Sequence, residues 1–114
     1  MLFSHGSRDP LWHLPMQAVA QRIVVLDPSA LVRCAYLELT QPDLSAATLS
    51  LVDAGVQRIT VVPLFLGVGK HAREDLPGLV DALQVRHPAV TFTLQCAVGE
   101  DPRLIEQLAQ IALA

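Results

Sequence analysis

The chain has 114 residues, 52% of them apolar and 4% aromatic, and a formal net charge of −3 at pH 7. That length holds one domain, residues 1–114, with an aliphatic core. The acidic balance and the lack of any basic run exclude electrostatic capture of nucleic acid or of an anionic membrane surface. No apolar segment reaches the roughly 20 residues that cross a bilayer.

Met1–Ser4 is a short β-compatible segment, with three residues before Ser4. "HGSRD" follows almost at once, so no signal-peptide pattern stands there. Pro15–Leu26 has helical spacing, with the proline tolerable in the first turn. Leu31–Leu39 is rich in apolar residues and predicts a strand. Gln41–Gly55 predicts a helix, with Pro42 near its start, Asp43 in the first turn and Gly55 as the stop. Arg58–Leu66 is the strongest strand signal. It is β-branched and nearly continuously apolar, as in a central parallel strand buried on both faces, and Pro63 marks where ladder pairing ends. Arg73–His87 predicts a helix with acidic residues early and basic ones late. Ala89–Val98 is a fourth strand. Asp101–Ala114 is a fourth helix, with Asp101 as N-cap and Pro102 at the first helical position.

This alternation predicts an α/β fold: an open parallel four-stranded sheet, helices on both faces, in the flavodoxin-like order 2-1-3-4. Cys34 and Cys96 form no Cys-x-x-Cys pair and both sit in apolar strand-like runs. They read as two buried free thiols in a cytoplasmic protein.

In such sheets ligands bind beyond the carboxyl ends of the strands, where the order reverses. The first strand ends in Ser4-His5-Gly6-Ser7-Arg8-Asp9 and the third in Gly67-Val68-Gly69-Lys70-His71. The second ends in Tyr36-Leu37-Glu38-Leu39, which brings Glu38 to the same rim. Two imidazoles and a carboxylate suit a borderline divalent ion such as Co, Ni, Fe or Zn, with positions left open for exchange. A neutral imidazole can also accept a proton. The two glycines before Lys70 are expected to let the backbone approach a ligand and the loop move.

"SHGSRDP", the later "YLEL" and "QPDL", and "VVPLFLGVGKHAREDLP" together resemble the short CbiX-type sirohydrochlorin chelatases of the class II chelatase family. The resemblance covers nearly the whole chain. It implies insertion of a divalent metal, Co2+ or Fe2+ with Ni2+ as a further candidate, into the tetrapyrrole sirohydrochlorin without ATP and with no tightly bound cofactor. It implies a homodimer as well. Carried over, His5 and His71 fall on the metal-site histidines, and Glu38 on an acidic position near the site that serves as ligand or base. Sirohydrochlorin is an octacarboxylate, so Arg8, Lys70 and Arg73, next to the histidines in sequence, are expected to supply positive charge. A second wall for so wide a ligand would come from a partner copy.

Blander readings stand beside these. A strand-end glutamate can simply be solvated. Arg8 can pair with Asp9 or Asp75 as scaffolding, and Asp75 is a dipole partner rather than a catalyst. His13 is expected at a surface turn or helix entry and His87 at a helix end, neither with chemistry. Trp12 either covers the cleft or simply packs. "GVGK" lacks the G-x-x-x-x-G-K-[ST] spacing and is not read as an ATP loop. The same residues would serve a carrier of metal or tetrapyrrole that performs no turnover. A phosphoryl-transfer enzyme with His5 as nucleophile ranks last, since it needs an arginine where Ser4 stands.

Overall fold

The computed structural model describes all 114 residues. Four strands, β1 (Leu2–Ser4), β2 (Cys34–Tyr36), β3 (Arg58–Pro63) and β4 (Thr91–Leu94), form one sheet in the order β2-β1-β3-β4. Every pairing is parallel. Four helices connect or follow them: α1 (Leu14–Leu26), α2 (Leu44–Asp53), α3 (Lys70–Arg86) and α4 (Pro102–Leu113). The expected strand order and helix count hold.

The edge strands are shorter than the apolar runs that announced them. β2 finds only three partners, Leu2↔Cys34, Phe3↔Ala35 and Ser4↔Tyr36, because β1 is itself that short. β4 pairs only with Arg58–Val61 of β3. β3 does end at Pro63, as the missing N–H requires.

One face of the sheet carries most of the core. Phe3, Ala35, Ile59 and Val61 pack there against Leu44, Ala47 and Leu51 of α2 and Leu76, Val80 and Leu83 of α3. Each large side chain buried in it contributes roughly 1.5–3 kcal/mol. On the opposite face α1 sets Met16 against Leu2 and Tyr36, a much smaller cluster. β3 is therefore not buried on both faces as expected. Ile59, Val61 and Pro63 are buried, while Thr60 and Val62 are only half-covered. The reason is α4, which buries none of its residues.

Several terminators act as read. Asp43 caps α2 by accepting from the Ala46 N–H at 2.8 Å, and Gly55 leaves that helix at φ 87°. Asp101 caps α4 by accepting from the Arg103 N–H at 2.9 Å. α3 departs from expectation. It begins at Lys70, three residues before Arg73, so its first turn carries Lys70 and His71 and no acidic residue. Pro77 lies inside it. That proline removes one hydrogen bond, to the Arg73 carbonyl, and the helix runs through the loss.

Candidate functional site

At the carboxyl ends of β1 and β3, His5 and His71 line one cleft of about 680 Å³. His5 follows β1 directly. His71 is the second residue of α3, on the helix rather than in the loop before it. The floor is apolar, made by Phe3, Phe65, Leu37 and Leu76, and the α3 wall adds Glu74, Asp75 and the flat surface of Gly78.

His5 is held from several sides. Its Nδ1 lies 3.1 Å from Oε1 of Glu38. A carboxylate only accepts, so Nδ1 carries the proton and the Nε2 lone pair is left free. The carbonyl of His5 accepts from the Ser4 hydroxyl at 2.9 Å and from the Trp12 indole N–H at 3.3 Å. The imidazole rests on Phe65, ring centroids 4.9 Å apart, and Phe65 is itself braced edge-on by Phe3 at 5.9 Å. Gly6 makes the Glu38 contact possible: a Cβ there would stand 1.9 Å from the Glu38 carbonyl oxygen. Gly99 does the same for the end of β3, where a Cβ would meet the Leu66 carbonyl oxygen at 1.7 Å. Gly67 and Gly69 have open space around them and no positive φ. No close contact within the chain and no special backbone angle demands glycine at either position. His71 is exposed and its imidazole makes no hydrogen bond or ion pair.

The structure brings His5, His71 and Glu38 to one rim, but not as a three-ligand cage. No three His, Cys, Asp or Glu side chains stand close enough together to hold an ion. Glu38 is engaged on the Nδ1 side of His5 and does not line the cleft.

The expected basic collar is also revised. Arg73, two residues from His71, turns to the other side of α3, where it lines a separate hollow with Pro77, Cys96 and Glu100. Helical geometry turns residues two apart to nearly opposite faces. Lys70 and Arg8 are exposed and line neither hollow. Arg8 pairs with neither Asp9 nor Asp75. Asp75 is in the cleft wall, not the first turn.

Of the remaining candidates, His13 is packed on Tyr36, centroids 4.5 Å apart, and its Nε2 accepts from the Ser7 N–H at 3.3 Å. His87 ends α3, as expected. Both cysteines are free, but only Cys34 is partly buried, and burial pushes its thiol above the usual cysteine value. Cys96 is exposed, against expectation, because β4 ends at Leu94.

The sequence reading missed Phe65, the tether from Trp12 and the role of Gly6. Phe65 was legible, since Ile59, Val61, Pro63 and Phe65 alternate onto one buried face. The Trp12 and Gly6 contacts come from loop packing and leave no periodic signal.

The sequence profile of the CbiX family matches residues 1–112. The chain belongs to the CbiX family. A CbiX-family relative, the sirohydrochlorin cobaltochelatase of Saccharolobus solfataricus, is 30% identical over 96% of this chain and 89% of its own length. The putative cobalamin biosynthesis CbiX protein from Marinobacter aquaeolei VT8 superposes with a TM-score of 0.82 at 34% identity, over 97% of this chain and 90% of that one. The sirohydrochlorin chelatase SirB from Bacillus subtilis subspecies spizizenii, solved in complex with cobalt, superposes with a TM-score of 0.73 at 25% identity. The match covers 96% of this chain and 47% of that one. The chain spans 56, 61 and 62% of the length of three further relatives named sirohydrochlorin cobaltochelatase.

Proposed function

We propose that residues 1–114 form one chelatase domain that inserts a divalent metal, Co2+ or Fe2+, into sirohydrochlorin without ATP or a resident cofactor. The observation that carries this reading is the shared cleft: two histidines from distant parts of the chain line it together. The names of the relatives supply the substrate and favour cobalt; none favours nickel.

In this reading His5 and His71 are the ligands of the incoming ion. Nε2 of His5 presents a fixed lone pair, because Glu38 holds the other ring nitrogen. His71 closes on the ion from α3. Two imidazoles and no preformed cage leave the remaining positions to water or pyrrole nitrogen, which suits an ion that must be given up. Metallation exchanges two pyrrole protons for one M2+. As the ion passes to the ring, the released His71 imidazole accepts one pyrrole proton and returns it to solvent, and water takes the second directly. Glu38 acts through His5. Arg8 and Lys70 meet the peripheral carboxylates from outside the cleft. Arg73, on the far side of α3, has the weakest claim to that role.

One wall of the cleft is α3. A second copy of the chain supplies the other wall, and the exposed apolar residues of α4, Ile105, Leu108 and Ile111, are the contact this reading assigns to the homodimer. No helix is long and apolar enough to cross a membrane. Cytoplasmic action fits the two free thiols.

Anaerobic mixing of the protein, metal-free sirohydrochlorin and excess Co2+ tests the proposal. The enzyme reading expects many equivalents of cobalt-sirohydrochlorin per chain, well above the uncatalysed rate, and loss of turnover in His71→Ala with an unchanged circular dichroism spectrum. One equivalent and no more would make the chain a carrier.

A further inference from the structure

His5 borders a second hollow on its other flank. Trp12, Pro15, Met16, Val19 and Leu64 line this space of about 340 Å³ with His5, where α1 meets the end of β3. The mechanism above leaves it unused. Trp12 is the chain's single tryptophan and is 58% exposed.

The position of Trp12 is nevertheless fixed. Asp9 caps the short 3-10 turn Pro10–His13 by accepting from the Leu11 N–H at 3.0 Å, and its own carbonyl accepts from the Trp12 N–H at 3.0 Å. The indole N–H then reaches back to the His5 carbonyl. An apolar ring at the surface is thus tethered, through backbone and side chain, to the residue assigned to the metal. Preorganising a ring in this way removes much of the ordering cost of using it as a binding surface.

We propose that Trp12 is the macrocycle platform of the site. This rests on the reading that the site takes a tetrapyrrole. A tetrapyrrole is flat, conjugated and much wider than one imidazole. With its nitrogens at Nε2 of His5, it must extend past His5 toward α1 as well as toward α3. The α3 side offers acidic Glu74 and Asp75, poor partners for a polycarboxylate. The α1 side offers an aromatic face and aliphatic neighbours without a charged group. Stacking there holds the ring while leaving its nitrogens toward the histidines. Trp12 is thus a substrate-binding residue, distinct from the two imidazoles that hold the ion.

Binding of metal-free sirohydrochlorin, followed through its visible absorption, tests this with wild type, Trp12→Phe and Trp12→Ala. Co2+ affinity without the macrocycle is measured in parallel. The platform expects Trp12→Ala to bind the macrocycle about tenfold more weakly. Trp12→Phe should stay within about threefold of wild type, since it loses the N–H and part of the indole's area but keeps an aromatic face for stacking. Any loss of Co2+ affinity should be small, well below the roughly tenfold loss for the macrocycle, and the same in both variants, since both lose the N–H to the His5 carbonyl. Wild-type macrocycle affinity in Trp12→Ala overturns the proposal. So does equal weakening of macrocycle and Co2+ binding in both variants, which would make Trp12 only a brace for His5. A wild-type protein that binds no sirohydrochlorin overturns the tetrapyrrole reading itself, and Trp12's role falls with it.

Discussion

The two histidines of the cleft are held in opposite ways. His5 is fixed by a carboxylate, a hydroxyl, an indole, an aromatic floor and a glycine that admits them all. His71 stands on the first turn of an uncapped helix with no side-chain partner. A metal-inserting site must capture an ion and then release it. In the proposed chelatase, one rigid ligand and one unrestrained ligand would do both, where two rigid ones would trap the ion and two free ones would scarcely bind it.

The contrast breaks most completely at Gly6. A Cβ there would meet the Glu38 carbonyl oxygen at 1.9 Å, a backbone atom with no rotamer to yield. Gly6→Ala should lose most metallation activity and about 1–3 kcal/mol of stability in urea denaturation. Gly67→Ala, in open space, should stay within about twofold of wild type in turnover. Next in size is the tautomer lock. Glu38→Ala should weaken Co2+ binding about 10–100-fold by isothermal titration, and Glu38→Gln less, because its carbonyl still accepts from Nδ1.

The α3 side can be sharpened in the other direction. Gly78 lines the cleft, and a Cβ there would have open space. Gly78→Ala should stabilise the helix by about 0.5–1 kcal/mol in thermal denaturation while narrowing the cleft and raising KM. The smallest effect lies outside both arms. The Arg103 guanidinium and N–H hold the Asp101 carboxyl at about 2, below its ordinary 3.8. A depressed carboxyl contributes stability above its unfolded value and loses it as pH falls through the folded one. Protection of the α4 amides, measured against the intrinsic exchange rate at each pH, should therefore fall between about pH 4 and 2, and Asp101→Asn should flatten that dependence.

The sheet order was legible because alternating strand and helix signals leave few parallel topologies, and that order alone carried His5, Glu38 and His71 to one rim. The length of β2 was not, since a run of apolar residues does not reveal how short its neighbour is. Nor was the start of α3. Pro77 and Gly78 lower helical propensity locally, yet burial of Leu76, Val80 and Leu83 sustains the helix across them. A helix that began at Arg73 would leave His71 in a loop with Arg73 beside it. Three more helical residues separate the two by just over half a turn. Glu38's attachment to Nδ1 rather than to the cleft was beyond reach, because it depends on where two loops meet over Gly6.

The central claim is that one ion is gripped by both imidazoles. X-ray absorption at the cobalt edge counts them directly. Cobalt bound to the wild type should show two histidine nitrogens, and cobalt on His5→Ala or His71→Ala only one. An unchanged count in either variant would mean that its histidine never touches the ion, and the account would be wrong.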